Sequence, residues 1–282
     1  MKDAISWVNG RRSSSVEVSE RAVQYGDGLF ETIRIRGSKP EFLQRHLKRL
    51  VAGCGRLKFP AVDWDEVESE LRSLAVEHKD AVAKLILSRR CAGRGYRLTP
   101  DQEATRIVSV YPLPQWPSNP AGSGIRVRIC DARLSAQPLL AGIKHLNRLE
   151  QVLARAEWDN AAIAEGLMLN DSDRIIEGTM TNVFIVSNQV LVTPDLSSCG
   201  VAGVMRSVIL DLAKDLGIET QLRSVSLADT LAATGDAAES ALFQARLRLQ
   251  NAEPDTDTRL LQEQMNARED QLSAARKGAE YL

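Results

Sequence analysis

The chain has 282 residues, 44% of them apolar and 26% charged, and its 36 basic and 37 acidic side chains leave a net charge of −1. That is length for one large domain or two modest ones and enough apolar content for a buried core, which excludes disorder and collagen-like repeats. With a sequence pI near 6.4 and no long basic block, nothing marks a nucleic-acid or anionic-membrane surface, so small-molecule partners are expected.

The chain opens with strand patterns. AISWV is followed by Asn9-Gly10, a two-residue hairpin signal, then VEV at 16–18 and, after a loop, LFETIRIR. Residues 41–57 place Phe42, Leu43, His46, Leu47, Leu50 and Val51 at helical spacing, and 64–78 repeat the pattern more weakly. AVAKLILSRR and RIVSVYPL then read as strands and close an α+β unit near residue 111. Tyr111 to Gly124 holds four prolines and two glycines, which makes it a linker between a small N-terminal domain, 1–116, and a larger domain, 117–282.

The second part begins with the strand IRVRIC, passes through a helix from about His145 to Asn160, and returns to strands at GLMLN, NVFIV and VLVTP. A turn over Gly200–Gly203 leads into the helix RSVILDLAKDLG, ended by a glycine. From Ser226 onward there is no Val or Ile, and Ala, Gln, Arg, Glu and Leu dominate. Such a stretch suits helix and not strand, so 226–282 reads as an atypical helical tail, with Leu260, Leu261, Met265 and Leu272 on one face of a helix over 257–277.

Cys54, Cys91, Cys130 and Cys199 lie far apart with no CxxC pair, so free thiols in a reducing compartment are expected. The first ten residues contain no apolar core of signal-peptide length, and nowhere do about eighteen apolar residues run together. A cytoplasmic protein is expected. Three histidines, His46, His78 and His145, leave little material for a His-rich metal site or a Ser-His-Asp triad, and no metal is expected.

Four features could carry chemistry: RAVQYGDGLFETIRI at 21–35, HLKRL at 46–50, LAGIKHLNRLEQVLARAEW at 140–158, and RIIEGTMTNVFIV at 174–186 with CGVAGVMR at 199–206. Each alone is weak, because a lone lysine is usually solvated, a lone glutamate is usually a turn carboxylate, and GVAG can be an ordinary helix-start turn.

In this order and spacing they resemble the fold-type IV family of pyridoxal-phosphate enzymes, the class IV aminotransferases, which includes branched-chain and D-amino acid aminotransferases and aminodeoxychorismate lyases. The resemblance covers roughly residues 1–232. Together with SRRCAGRGY at 88–96 and YGDGLFET at 25–32, the long run at 140–158 looks like the lyase branch. The implied fold is a two-domain α+β enzyme of the D-amino acid aminotransferase type. The implied activity is a lyase of folate biosynthesis that converts 4-amino-4-deoxychorismate to 4-aminobenzoate and pyruvate, with an aminotransferase or a non-catalytic interaction protein as rival readings. The implied cofactor is pyridoxal 5'-phosphate, and the implied assembly is a homodimer.

Pyridoxal phosphate makes three demands that match this pattern. Its aldehyde needs an amine that can be neutral near pH 7, and Lys144 stands where the family carries that lysine; Lys48 and Lys84 are rivals outside any matching motif. Its pyridine nitrogen needs a carboxylate to stay protonated, and Glu177 matches the family glutamate. Its phosphate needs amide and cationic donors: Gly203, Val204 and Met205, ahead of a helix, match the family phosphate cup, and Arg49 matches the phosphate arginine. On the substrate side the resemblance points to Arg94 and Tyr96 for a carboxylate and to Phe30 as a pocket wall. Family members also carry a buried strand after an ADE-like turn; here that place reads TGDAAESALFQARLRLQ, with no such strand.

Overall fold

The computed structural model describes residues 4–90, 95–99, 102–114 and 124–233, and these divide into two units. The first takes the described residues of Met1–Ser118 together with two later returns of the chain, Gln137–Val152 and Gly200–Val204; the second takes those of Asn119–Ala136, Leu153–Cys199 and Met205–Leu282.

In the first unit six strands form an antiparallel sheet. β1 (Ile5–Val8) and β2 (Arg11–Arg12) are joined by Asn9 and Gly10 at φ +48° and +75°, the left-handed pair that a tight hairpin requires. With β3 (Gly28–Arg36), β4 (Lys39–Pro40), β5 (Ala81–Arg89) and β6 (Ala104–Pro112), the sheet order is β2-β1-β6-β5-β3-β4. β3 shows the period of two plainly: Leu29, Glu31, Ile33 and Ile35 are buried, while Thr32, Arg34 and Arg36 face outward.

Two helices cover the buried face. α2 (Leu43–Arg56) contributes Leu43, His46, Leu47 and Leu50, and α3 (Trp64–Glu77) contributes Val67, Leu71, Leu74 and Ala75. α3 starts where the sequence supplies a cap, since the Asp63 side chain accepts the Glu66 N–H at 2.9 Å. These residues, Leu85, Leu87 and Val108 from the sheet, and Ile143 from the returning segment make one core.

Some expectations fail here. VEV at 16–18 forms no strand, and Val16 and Val18 are exposed; with no buried face for them, β propensity alone does not build a strand. Instead a short helix, α1 (Arg21–Tyr25), follows and is stopped by Gly26 at φ +63°. Phe42 and Val51, expected on the inner face of α2, are exposed; Phe42 is the left-handed residue preceding the helix.

The second unit holds two three-stranded sheets. In one, β7 (Arg126–Leu134) runs parallel to β8 (Ile163–Asn170), and β8 runs antiparallel to β9 (Ile175–Gly178). In the other, β11 (Val190–Pro194) lies between β10 (Ile185–Ser187) and β12 (Thr220–Arg223). The cores are Cys130, Leu134, Ala154, Trp158, Met168, Ile176 and Cys199 in one cluster, and Leu169, Ile175, Ile185, Val192 and Val225 in another. Cys54, Cys130 and Cys199 are free thiols; Cys91 lies outside the described residues.

The helix expected from His145 to Asn160 is only α4 (Leu149–Arg155). Residues 144–146 are extended because their backbone pairs with β3, and that ladder outbids local helix propensity. α5 (Val204–Asp215) ends as the glycine predicts: Gly217 has φ +66° and Ile218 N–H donates to Ala213 O at 2.8 Å. Of the tail, only α6 (Leu227–Ala233) is described, capped reciprocally by Ser226 and Asp229. The helix expected over 257–277 and most of the linker expected at 111–124 lie outside the described residues. Among the described residues no helix is long and apolar enough to cross a membrane.

Candidate functional site

Lys144 is presented by a short extended segment of the first unit. Phe30 N–H donates to Lys144 O at 2.9 Å, Leu146 N–H donates to Gly28 O at 3.0 Å, and the Asn147 amide donates to Gly26 O at 3.1 Å. The lysine backbone is therefore fixed to the start of β3 by bonds that do not involve its own side chain. Its ammonium lies 4.4 Å from the centre of the Phe30 ring, and Lys84 Nζ lies 5.3 Å from the same ring. The ring faces two cations, which its negative π-face favours. Lys48 is exposed on α2.

Upstream of the lysine, Arg56 holds the approach to this segment by donating to Ala141 O at 2.5 Å and Pro138 O at 2.6 Å. Gly142, at φ +81°, pairs with the 200–204 turn: its N–H donates to Gly200 O at 2.8 Å, and its own C=O accepts from Ala202 N–H at 3.0 Å. Gly200 is also left-handed, at φ +83°. Both positions need a residue without a β-carbon penalty. The turn leads directly into the N-terminus of α5 at Val204, and so places the Gly203 and Val204 amides in the first unit; Met205 follows as the first residue of the second.

Glu31 ties these pieces together from the other face of β3. Its carboxylate is fully buried and accepts from Arg49 Nε at 2.7 Å, Arg49 Nη2 at 2.5 Å and His46 Nδ1 at 2.6 Å. Burial pushes the Glu31 carboxyl up, but the hydrogen bonds from His46 and Arg49 outweigh it and hold its pKa below the usual carboxylate range. The third arm of Arg49, Nη1, donates to Ala202 O at 2.9 Å. Arg49 thus stands against the turn that starts α5, with three of its five donors engaged. A closed circuit results: Lys144 to Phe30, Phe30 to Glu31 along β3, Glu31 to Arg49, Arg49 to Ala202, and Ala202 back through Gly142 to Lys144. Sequence reasoning did not single out Glu31, although a carboxylate in an inward position of LFETIRI opposite a His and an Arg three residues apart on one helix is a readable signal.

In the second unit Glu177 is 4% exposed on β9, opposite Met168 of β8, and forms an isolated bridge with Asn182. The turn between them is built around Glu165, another buried carboxylate that the sequence reading missed. It accepts from the backbone of Gly166 and Thr179 at 2.8 and 3.0 Å and from the hydroxyls of Thr179 and Thr181 at 2.5 and 3.0 Å. These four donors fix the carboxylate's orientation and satisfy its oxygens inside the unit. Arg94 lies outside the described residues; Tyr96 is 83% exposed and rests edge-on against Tyr25, ring centres 5.3 Å apart.

Next to Lys144, burial aided by the Arg148 charge pushes the His145 imidazole down to about 4, and its Nδ1 is buried without a hydrogen-bond partner. The unfolded chain takes up this proton below about pH 6.5 while the folded chain does not. Stability is therefore expected to fall as pH drops from about 6.5 towards 4. Denaturant titrations at pH 7 and pH 5 should show a His145→Gln variant losing about 1–2 kcal/mol less than the parent over that interval, allowing for solvent screening. An equal loss in both proteins would remove His145 as the cause.

Comparison with known proteins bears on this arrangement. The sequence profile of the amino-transferase class IV family matches residues 28–243. A curated aminodeoxychorismate lyase from Vibrio harveyi is 37% identical over 225 residues, 80% of this chain and 83% of that protein. The crystal structure of 4-amino-4-deoxychorismate lyase from Pseudomonas aeruginosa superposes with a TM-score of 0.78 at 46% identity, covering 80% of this chain and 83% of the other. The branched-chain amino acid aminotransferase of Escherichia coli has a TM-score of 0.70 at 26% identity, covering 80% and 79%.

Proposed function

Because the chain belongs to the amino-transferase class IV family, we propose that it is a pyridoxal-phosphate-dependent lyase that converts 4-amino-4-deoxychorismate to 4-aminobenzoate and pyruvate, in folate biosynthesis. The observation that carries this reading is the circuit in the first unit. It fixes an amine-bearing segment to a helix-starting turn beside a guanidinium, the donor set that an aldehyde and a phosphate on one small molecule require.

The residues fit that cofactor. Lys144 would hold its aldehyde carbon; Gly203, Val204 and Met205 would offer amide donors at the start of a twelve-residue helix to its phosphate, with the two remaining Arg49 donors. Glu177, buried in the second unit, would keep its ring nitrogen protonated. When bound, the cofactor supplies an electron sink that acidifies the C–H bond beside the substrate nitrogen. Lys144, freed once the substrate nitrogen has taken its place on the aldehyde carbon, would remove that proton as general base. The C–H electron pair becomes a ring double bond, the C–O bond to the enolpyruvyl group breaks, and the departing enolate takes up a proton to give pyruvate. The ring left behind is aromatic. Phe30 would wall the site, and Arg94 and Tyr96 would hold a substrate carboxylate.

The similarity to a lyase at 37% and 46% identity favours elimination over amino transfer. We further propose that the enzyme works in the cytoplasm as a homodimer. The purified protein loaded with pyridoxal phosphate and given 4-amino-4-deoxychorismate alone should release pyruvate and 4-aminobenzoate in equal amounts. A requirement for a 2-keto acid with ping-pong kinetics would make it an aminotransferase. Failure to bind the cofactor would leave a non-catalytic interaction protein.

A further inference from the structure

Arg21, on the short helix α1, is 4% exposed, and its guanidinium is divided between two tasks. Nε donates to Asp27 Oδ2 at 2.7 Å, and Nη1 donates to the carbonyl of Gly95 at 2.9 Å. The group also lies 4.9 Å from the centre of the Tyr25 ring, whose hydroxyl accepts the Gly95 N–H at 3.2 Å. Both backbone polar groups of Gly95, an exposed residue at φ +85°, are thus held by side chains of one short segment. Next to it Tyr96 leans on Tyr25.

The same segment continues into the residues that hold Lys144. Gly26 and Gly28 accept from Asn147 and Leu146, and Phe30 donates to Lys144 O. Asp27, between those glycines, is paired a second time with Arg89, whose Nε donates at 3.1 Å and whose other nitrogens donate to Lys58 O and Leu57 O at 2.7 Å. Arg89 therefore keeps Asp27 compensated and tied to the end of α2 whether or not Arg21 is present. Compensating Asp27 does not require Arg21 to reach an exposed glycine carbonyl as well; placing Gly95 and Tyr96 does. The planar fork serves two acceptors in different directions at once, which a lysine ammonium on a single flexible stem does not reproduce.

We propose that Arg21 is a positioning residue that fixes Gly95 and Tyr96 relative to the Lys144 segment and so sets substrate affinity. This rests on the assignment of Tyr96 to substrate binding in the preceding section. The test uses Arg21→Lys and Arg21→Gln in the cofactor-loaded protein. Cofactor absorbance and melting temperature should stay close to the parent's. KM for 4-amino-4-deoxychorismate should rise on the order of tenfold, with kcat changed less than about threefold. Trypsin cleavage after Arg97, the exposed neighbour of Tyr96, should become several-fold faster, since a segment released from its anchors opens more often.

Unchanged KM in folded variants, or a fall in kcat at constant KM, overturns the proposal. So does loss of the folded state in both variants, which would make Arg21 a residue of the fold alone. If the parent protein itself shows no lyase turnover, it is the functional reading that fails. The trypsin comparison then judges Arg21 by itself: faster cleavage supports the anchoring role, and an unchanged rate overturns it.

Discussion

Replacing Lys144 by alanine is expected to abolish covalent cofactor attachment and to lower turnover by at least about a thousandfold, the scale on which a nucleophilic anchor and a general base combined act. The fold should survive. The lysine is placed by its own carbonyl, which accepts from Phe30 N–H, and by the neighbouring Leu146 and Asn147, none of which the substitution removes. Borohydride reduction of the loaded parent followed by intact-mass measurement should show one reduced cofactor per chain, and the variant should show none. Lys84 provides the internal control. Its amine lies 5.3 Å from the Phe30 ring against 4.4 Å for Lys144, so it shares that ring and is the substitute to check. A Lys144→Ala protein that still gained the reduced cofactor's mass, or that kept the parental rate, would move the chemistry to another amine and end the assignment.

How far the sequence alone reaches can be judged from particular elements. The alternation of Leu29, Glu31, Ile33 and Ile35 and the helical spacing of Leu43, His46, Leu47 and Leu50 are legible because each period is strong and each face is buried in one layer. VEV at 16–18 has the same local pattern but no layer to cover it, and local pattern does not report tertiary cover. The start of the helix expected from His145 was lost to partners more than a hundred residues away, since Phe30 and Gly28 hold 144–146; just before it, Gly142 is held by Gly200 and Ala202, 58 and 60 residues further on. Such pairings leave no periodicity behind. For the same reason the return of 137–152 and 200–204 to the first unit cannot be read from composition, although the glycines at 142 and 200 mark where left-handed backbone is needed.

The candidate site divides along the same line. Motifs that are contiguous in sequence, around Lys144, around Glu177 and at 200–206, announce themselves through resemblance. Carboxylates that organise them do not, because Glu31 and Glu165 look like single charges in apolar strands. Their meaning depends on donors contributed by other elements: Arg49 and His46 from a helix in one case, Thr179 and Thr181 from a turn in the other. A charge in an inward strand position is costly without partners, so its presence is itself an indication that partners exist.

Glu31 should accordingly be the most sensitive position in the first unit. Glu31→Ala leaves the Arg49 guanidinium, 14% exposed, and the buried His46 ring facing a cavity with no counter-charge. Breaking a buried pair from one side costs about 3–5 kcal/mol, which at this chain length is a fall in melting temperature on the order of 10 °C. Glu31→Gln should fall between the two, because an amide oxygen can still accept from one Arg49 nitrogen while its NH2 opposes the other. The charge contribution has a definite pH sense. The folded Glu31 carboxyl titrates below its unfolded value, so its stabilisation is present above the ordinary glutamate range and is lost as pH falls through the folded pKa; the Gln variant should lose that part of the acid dependence. A second effect should follow from the geometry: Arg49, no longer held on two nitrogens, loses its fixed approach to Ala202 at the start of α5, and retention of pyridoxal phosphate should weaken by about tenfold or more in Glu31→Gln even where the protein remains folded. Melting curves and cofactor titrations of the two variants measure both effects. A Glu31→Ala protein within about 1 kcal/mol of the parent would mean that water reaches Arg49 and His46 freely, and a Glu31→Gln protein that binds the cofactor as tightly as the parent would detach this buried carboxylate from the phosphate end of the site.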